Sequence, residues 1–216
     1  MTETIATPND LYFAYIPNNG GKSIIEFGES REIDWGFNYI KKHKMSLWDS
    51  PYFMNTYPKR LSDCFTIVRD PYERLIHAYK SMFKNNKNDL NSVKKFNDWI
   101  LKNVLAIQEL LSNVNSNIDK YKNFVNINIL PQFLFTHDLN DNMVVFHILR
   151  YENMNNDFKH LMIEYNSDIE YHLIDEDEPL EDITKQWFSQ ENILLINKVY
   201  HKDFMFFHYP KMLDDN

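Results

Sequence analysis

Glycine is the residue whose placement most constrains this chain. Four occur in 216 residues, Gly20, Gly21, Gly28 and Gly36, and none follows. Turns beyond residue 36 must rely on Asn, Asp and Pro, whereas the adjacent pair Gly20-Gly21 marks a point where the backbone itself needs freedom. The flanking residues define its setting. Leu11-Tyr-Phe-Ala-Tyr-Ile16 is apolar and aromatic and Pro17 stops it, which predicts a buried strand. Asn18-Asn-Gly-Gly-Lys-Ser23 reads as a turn, and Ser23 onward through Ile24, Ile25 and Phe27 as the start of a helix. Strand, glycine turn and helix in that order aim backbone N–H groups at an anion. Two readings of the turn stand side by side: a loop cradling a phosphate or phosphosulfate, and an ordinary strand-to-helix connection. A triphosphate-binding loop ending in Gly21-Lys22-Ser23 would need a further glycine where Ile16 stands, which disfavours a small-molecule kinase.

Further along, Cys64-Phe-Thr-Ile-Val68 predicts a second buried strand. Asp70-Pro71-Tyr72-Glu73 then supplies an N-cap, a proline at the first helical position and a capping-box glutamate. That helix continues through Leu75, Ile76, Tyr79 and Phe83. Ser92 caps a long amphipathic helix to about Leu111, with Phe96, Trp99, Ile100, Val104, Ile107 and Leu111 on one side, most simply as core. Met143–Leu149 predicts a third strand, and helices follow near residues 157–165 and 190–201. Another helix is expected near Phe37–His43, an irregular stretch around Trp48–Pro51, and a solvated loop at the acidic run Asp175–Glu178. Strands alternating with helices imply an α/β fold with a mainly parallel central sheet flanked by helices. With no repeat or flexible linker in view, residues 1–216 read as a single domain, residues 1–10 forming a loose N-terminal tail.

Composition removes several function classes. A hydrophobic fraction of 44% with 15% aromatics excludes disorder. No apolar run reaches the roughly 18–20 residues that span a bilayer. Met1–Asp10 lacks a basic stretch followed by an apolar one, so a soluble, cytoplasmic protein is expected. The one cysteine, Cys64, excludes a disulfide scaffold, and His137, His147, His201 and His208 lack metal-ligand spacing, so no metal is expected. A net charge of −8 argues against nucleic acid as a partner while leaving room for a local basic pocket. Of only five arginines, Arg69 and Arg74 fall directly after the second strand. A guanidinium at the carboxyl end of a parallel strand lies where open α/β sheets bind ligands, and its fork suits phosphate. Arg69 is read as anion-binding, and Arg74 as structural, paired with Asp70 or Glu73.

Together, Ile16-Pro-Asn-Asn-Gly-Gly-Lys-Ser23 and Val68-Arg-Asp-Pro-Tyr-Glu-Arg-Leu-Ile-His-Ala-Tyr79 resemble the two donor-binding motifs of the sulfotransferases, especially the carbohydrate type. The family patterns are Ile-Pro-Lys-Thr-Gly-Gly-Thr-Ser and Val-Arg-Asn/Asp-Pro-Tyr-Asp/Glu-Arg-Leu-x-Ser-x-Tyr. Weaker matches follow in order: Trp35-Gly36, then Ile148-Leu-Arg-Tyr-Glu-Asn153 to Arg-Tyr-Glu-Asn/Asp-Leu, and Val199-Tyr-His-Lys-Asp-Phe204 to Ile-Tyr-x-x-Asp-Phe. The resemblance spans about residues 11–209. It implies a P-loop-like fold and 3′-phosphoadenosine 5′-phosphosulfate as donor, with a hydroxyl, possibly on a glycan, as acceptor. It also implies that Asn18, Asn19, Gly20, Gly21, Lys22 and Ser23 cradle the phosphosulfate. Arg69 would grip the 3′-phosphate, with His77 and Arg150 completing the cofactor-binding set.

The chain departs from the family at three of these positions. The loop lysine falls at Asn18, the threonine before the loop serine at Lys22, and the 3′-phosphate serine at His77. Lys22 is the candidate to supply the charge that Asn18 lacks. For the base, Asp49 in Trp48-Asp-Ser-Pro51 occupies the place of a family histidine, while His43 offers an imidazole. The alternative to an active sulfotransferase is an impaired homologue that binds a nucleotide or glycan.

Overall fold

The structure is a computed structural model, and it describes residues 7–33, 35, 63–86, 90, 92–113, 126–167 and 184–213. Strands β1 (Tyr12–Phe13), β2 (Cys64–Val68) and β3 (His147–Arg150) alternate with helices α1 (Gly21–Ser30), α2 (Pro71–Phe83), α3 (Val93–Ser112), α4 (Met154–Glu164), α5 (Gln190–Val199) and α6 (His201–Phe207). The α/β expectation holds: a small parallel sheet with flanking helices. Contacts gather the chain into two units, Met1–Arg69 with Leu134–Glu176, and Asp70–Phe133 with Asp177–Asn216. No helix among the described residues is long and apolar enough to cross a membrane.

The first unit carries the sheet, in the order β1-β2-β3 and parallel throughout. Every residue of β2 is buried, Thr66 included, as befits a strand covered on both faces. Phe65 and Ile67 point into a core with Leu11, Phe13, Ile24, Trp35, Leu149 and Phe158, to which α1 and α4 contribute. Cys64 packs instead with Val144 and Val145. The Phe65 ring stacks on Phe13 at 4.9 Å and meets Trp35 edge-on at 5.4 Å.

Two strands are shorter than their apolar runs suggest. The β1 ladder covers only Tyr12–Phe13, although the Ala14 N–H still donates to Phe65 O at 2.8 Å. On its other side the Phe13 N–H turns to Trp35 O at 3.0 Å. β3 starts at His147, not Met143. Met143 bridges back to His137 and the Val144 N–H donates to Thr136 O at 2.8 Å, so the front of that run closes a local turn. Upstream, Pro8–Asp10 forms one 3₁₀ turn, and Asp10 Oδ2 accepts from both the Thr7 N–H and hydroxyl.

In the second unit the helix starts follow their caps. The Asp70 carboxylate accepts the N–H groups of Tyr72 at 2.8 Å and Glu73 at 3.3 Å, with Pro71 in the first turn. Ser92 Oγ accepts the Lys95 N–H, and Phe96, Trp99, Ile100, Val104 and Ile107 of α3 are buried. Asn97 ties α3 to the start of α5, accepting from the Ser189 N–H and the Asn192 amide and donating to Trp187 O. The helix expected over 190–201 breaks at Tyr200, whose hydroxyl donates to Ile129 O at 2.5 Å. Asp203, wholly buried, accepts the N–H groups of Gln132 at 2.8 Å and Phe133 at 2.9 Å. Arg74 is structural, as expected, and donates to Leu130 O at 2.5 Å. Its anticipated partners Asp70 and Glu73 face Lys185, at 2.9 and 3.7 Å.

Two stability predictions follow from this packing. The Trp35 indole N–H donates to Ile24 O across Gly28, where an added Cβ would lie 2.1 Å from Nε1. Gly28→Ala should therefore lower the unfolding free energy by about 2 kcal/mol in urea titrations, despite alanine's better helix propensity. A variant as stable as the wild type would show that Trp35 yields freely. Burial pushes Asp203 up from 3.8 to about 6, against the two amides and the nearby Arg74 charge. The folded chain then binds a proton that the unfolded chain has released, so this group's contribution is full below about pH 4 and lost as pH rises through about 6. Relative to Asp203→Asn, wild-type stability should fall by about 3 kcal/mol across that window. Parallel pH profiles for the two proteins would refute the assignment.

Candidate functional site

Because the three strands are parallel, their carboxyl ends share one edge, where ligands of open α/β sheets bind. Beyond β1 the chain turns through residues 17–20 into α1. Asn18 and Gly20 both have left-handed backbones, with φ of 66° and 74°, and Gly20 is the N-cap of α1. Asparagine tolerates that region and glycine adopts it without penalty. Left-handed residues ahead of a helix N-terminus make concave amide surfaces that suit anions. Asn19 is buried, and its Nδ2 donates to Ile67 O at 2.6 Å, tying the turn to β2.

The two glycines are also required sterically, by different neighbours. A Cβ on Gly20 would lie 2.8 Å from Tyr151 Cε2, and one on Gly21 would lie 2.7 Å from the Tyr15 ring. Lys22 is exposed, with Nζ 3.3 Å from Glu26 Oε1 one turn along α1. Ser23 is half-buried, and its N–H donates to Gly20 O.

Arg69 leaves the end of β2 half-buried. Its Nη1 lies 3.5 Å from Asn18 O, and its guanidinium carbon lies 3.9 Å from the centroid of the Tyr151 ring. The pairing of Val68 with Arg150 brings Arg150 to the same edge, where its backbone N–H donates to Asp157 Oδ2 at 2.8 Å. The turn 18–23, Arg69 and Arg150 are thus brought to one edge of the first unit. His77 is half-buried on α2 in the second unit, and His43 and Asp49 lie outside the described residues.

Tyr151, which touches both the turn and Arg69, was read from the sequence as part of the Ile148–Asn153 motif but given no role of its own. Its signal was positional: it is the first residue after β3, beside the Arg150 that was singled out. The cysteine offers no nucleophile, since burial, with the Asp63 charge, pushes Cys64 up to about 12. Among the described residues no group of three His, Cys, Asp or Glu is placed to hold a metal ion. Backbone amides at a helix start and a guanidinium beside them equip this edge to hold an anion.

Comparison with known families points the same way. The sulfotransferase family model matches residues 38–210. The match takes in Val68–Tyr79, Ile148–Asn153 and Val199–Phe204, and it starts after the turn at 16–23. No curated protein and no solved structure matches the chain. With most of its length under that one model, and a parallel sheet whose carboxyl edge gathers amides and a guanidinium, the chain belongs to the sulfotransferase family.

Proposed function

We propose that the chain transfers a sulfuryl group from 3′-phosphoadenosine 5′-phosphosulfate to a hydroxyl of a carbohydrate or similar acceptor. The observation that carries this reading is Arg69 at the exit of β2, beside the left-handed turn that opens α1. In this reading the amides of Gly20 to Lys22 and the α1 dipole hold the 5′-phosphosulfate, Arg69 holds the 3′-phosphate, and Arg150 assists. The acceptor oxygen bonds to sulfur as the sulfur–oxygen bond to the 5′-phosphate breaks, and the base takes the hydroxyl proton. No metal ion enters the scheme.

The impaired-homologue alternative has a specific observation in its favour. Asn18 supplies no charge where the family has lysine, and the Lys22 ammonium is engaged by Glu26. Transfer by this chain requires Lys22 to leave that exposed pair, a small demand because such pairs contribute little.

Arg69→Ala tests the donor assignment. Calorimetric titration should show affinity for 3′-phosphoadenosine 5′-phosphate falling by about 1.5–3 kcal/mol, with AMP affinity little changed. Equal loss for both nucleotides, with circular dichroism unchanged, would remove it. The base assignment is tested by single-turnover transfer from labelled donor. Asp49→Asn should slow transfer more than His43→Gln, because position in the site outweighs intrinsic basicity. The reverse order would exchange the two roles, and a native chain that binds nucleotide yet transfers to no acceptor in a broad panel would support the impaired reading.

A further inference from the structure

Tyr151 occupies an unusual position for an aromatic ring. One edge closes against Gly20, so tightly that a Cβ there would lie 2.8 Å from Cε2. Its face receives the Arg69 guanidinium at 3.9 Å, well inside the distance at which a ring's quadrupole attracts a cation. The ring is half-buried, and Met154 Cε, one helix start further on, also lies within 3.3 Å of the Gly20 Cβ position. A long, flexible guanidinium loses several rotamers when it is held for a ligand, and a ring face that holds it beforehand removes part of that entropic cost.

We propose that Tyr151 is a positioning residue for donor selection: its ring face holds Arg69 beside the Gly20 turn, so that the guanidinium is set in place for the 3′-phosphate. This rests on the reading of Arg69 given above. The ring face is the active part and the hydroxyl is dispensable. Tyr151 thereby acts on the preference for a 3′-phosphorylated nucleotide over its unphosphorylated counterpart, and not on nucleotide binding in general.

The test is the ratio of affinities for 3′-phosphoadenosine 5′-phosphate and AMP, measured by titration calorimetry on the full chain. Tyr151→Phe should keep the wild-type ratio within about twofold, whereas Tyr151→Leu should reduce it about tenfold with AMP affinity unchanged. In an Arg69→Ala background, Tyr151→Leu should change the ratio no further. Replacing Tyr151 with pentafluorophenylalanine keeps the ring's shape while withdrawing its electron density; it should lower the ratio even if the leucine variant misfolds. Equal wild-type affinities for the two nucleotides would overturn the Arg69 reading and this proposal with it. A wild-type preference that survives both the leucine and the fluorinated variants, or parallel losses for both nucleotides, would overturn the role of Tyr151 alone.

Discussion

The first unit depends on the burial of β2. A central parallel strand with neighbours on both sides and cover on both faces has no room for an unpaired polar side chain. Within Cys64–Val68 the single polar side chain is Thr66, and its hydroxyl donates to Ala14 O at 2.5 Å. Charge is admitted only where the strand ends, and the first residue there is Arg69. The same condition acts on the turn after β1. Asn19 enters the interior only by giving its amide to the Ile67 carbonyl. The apolar strand therefore fixes where the polar chemistry begins, and the turn and the arginine meet at that boundary.

Holding the turn requires several weak interactions to agree. Asn19 anchors it to the sheet, Gly20 accepts the left-handed backbone, and Tyr151 and Tyr15 fill the space a side chain would need. None of these contacts uses the backbone amides at the start of α1, whose orientation is set by the helix itself. In the second unit the same economy appears around Asp203 and Tyr200, which satisfy the backbone of Ile129 to Phe133 through side chains seventy or so positions away. In the family pattern that names these two residues, their work in this chain is architectural.

Much of this was legible in the sequence wherever the signal is local. Asp70-Pro71 and Ser92 announce helix starts because a cap bonds amides two or three residues away. The α3 core stripe is likewise a matter of spacing along one helix. Reading failed where a partner outside the element decides the outcome. Met143–Phe146 is as apolar as a strand, yet His137 and Thr136 take its first backbone groups. Nothing near Tyr200 forbids a continuous helix; the break accompanies a hydroxyl bonded to Ile129 O. The contacts of Tyr151 were missed for the same reason, since both its partners are more than eighty residues upstream.

The reliance of Gln132 and Phe133 on Asp203 has a consequence for biogenesis. A chain emerging from the ribosome presents residues 129–133 long before their acceptors exist, so these amides stay hydrated until translation has passed residue 203. Among the described residues, the strands that pair with β2 and the side chains that cover its Phe65 face all precede residue 166. Vectorial synthesis therefore imposes an order: the sheet can assemble while α5 and α6 are still being made, and the helical unit closes last. Until then the Tyr72 and Phe96 rings lack Phe188 and Phe204, the rings that meet them in the folded chain.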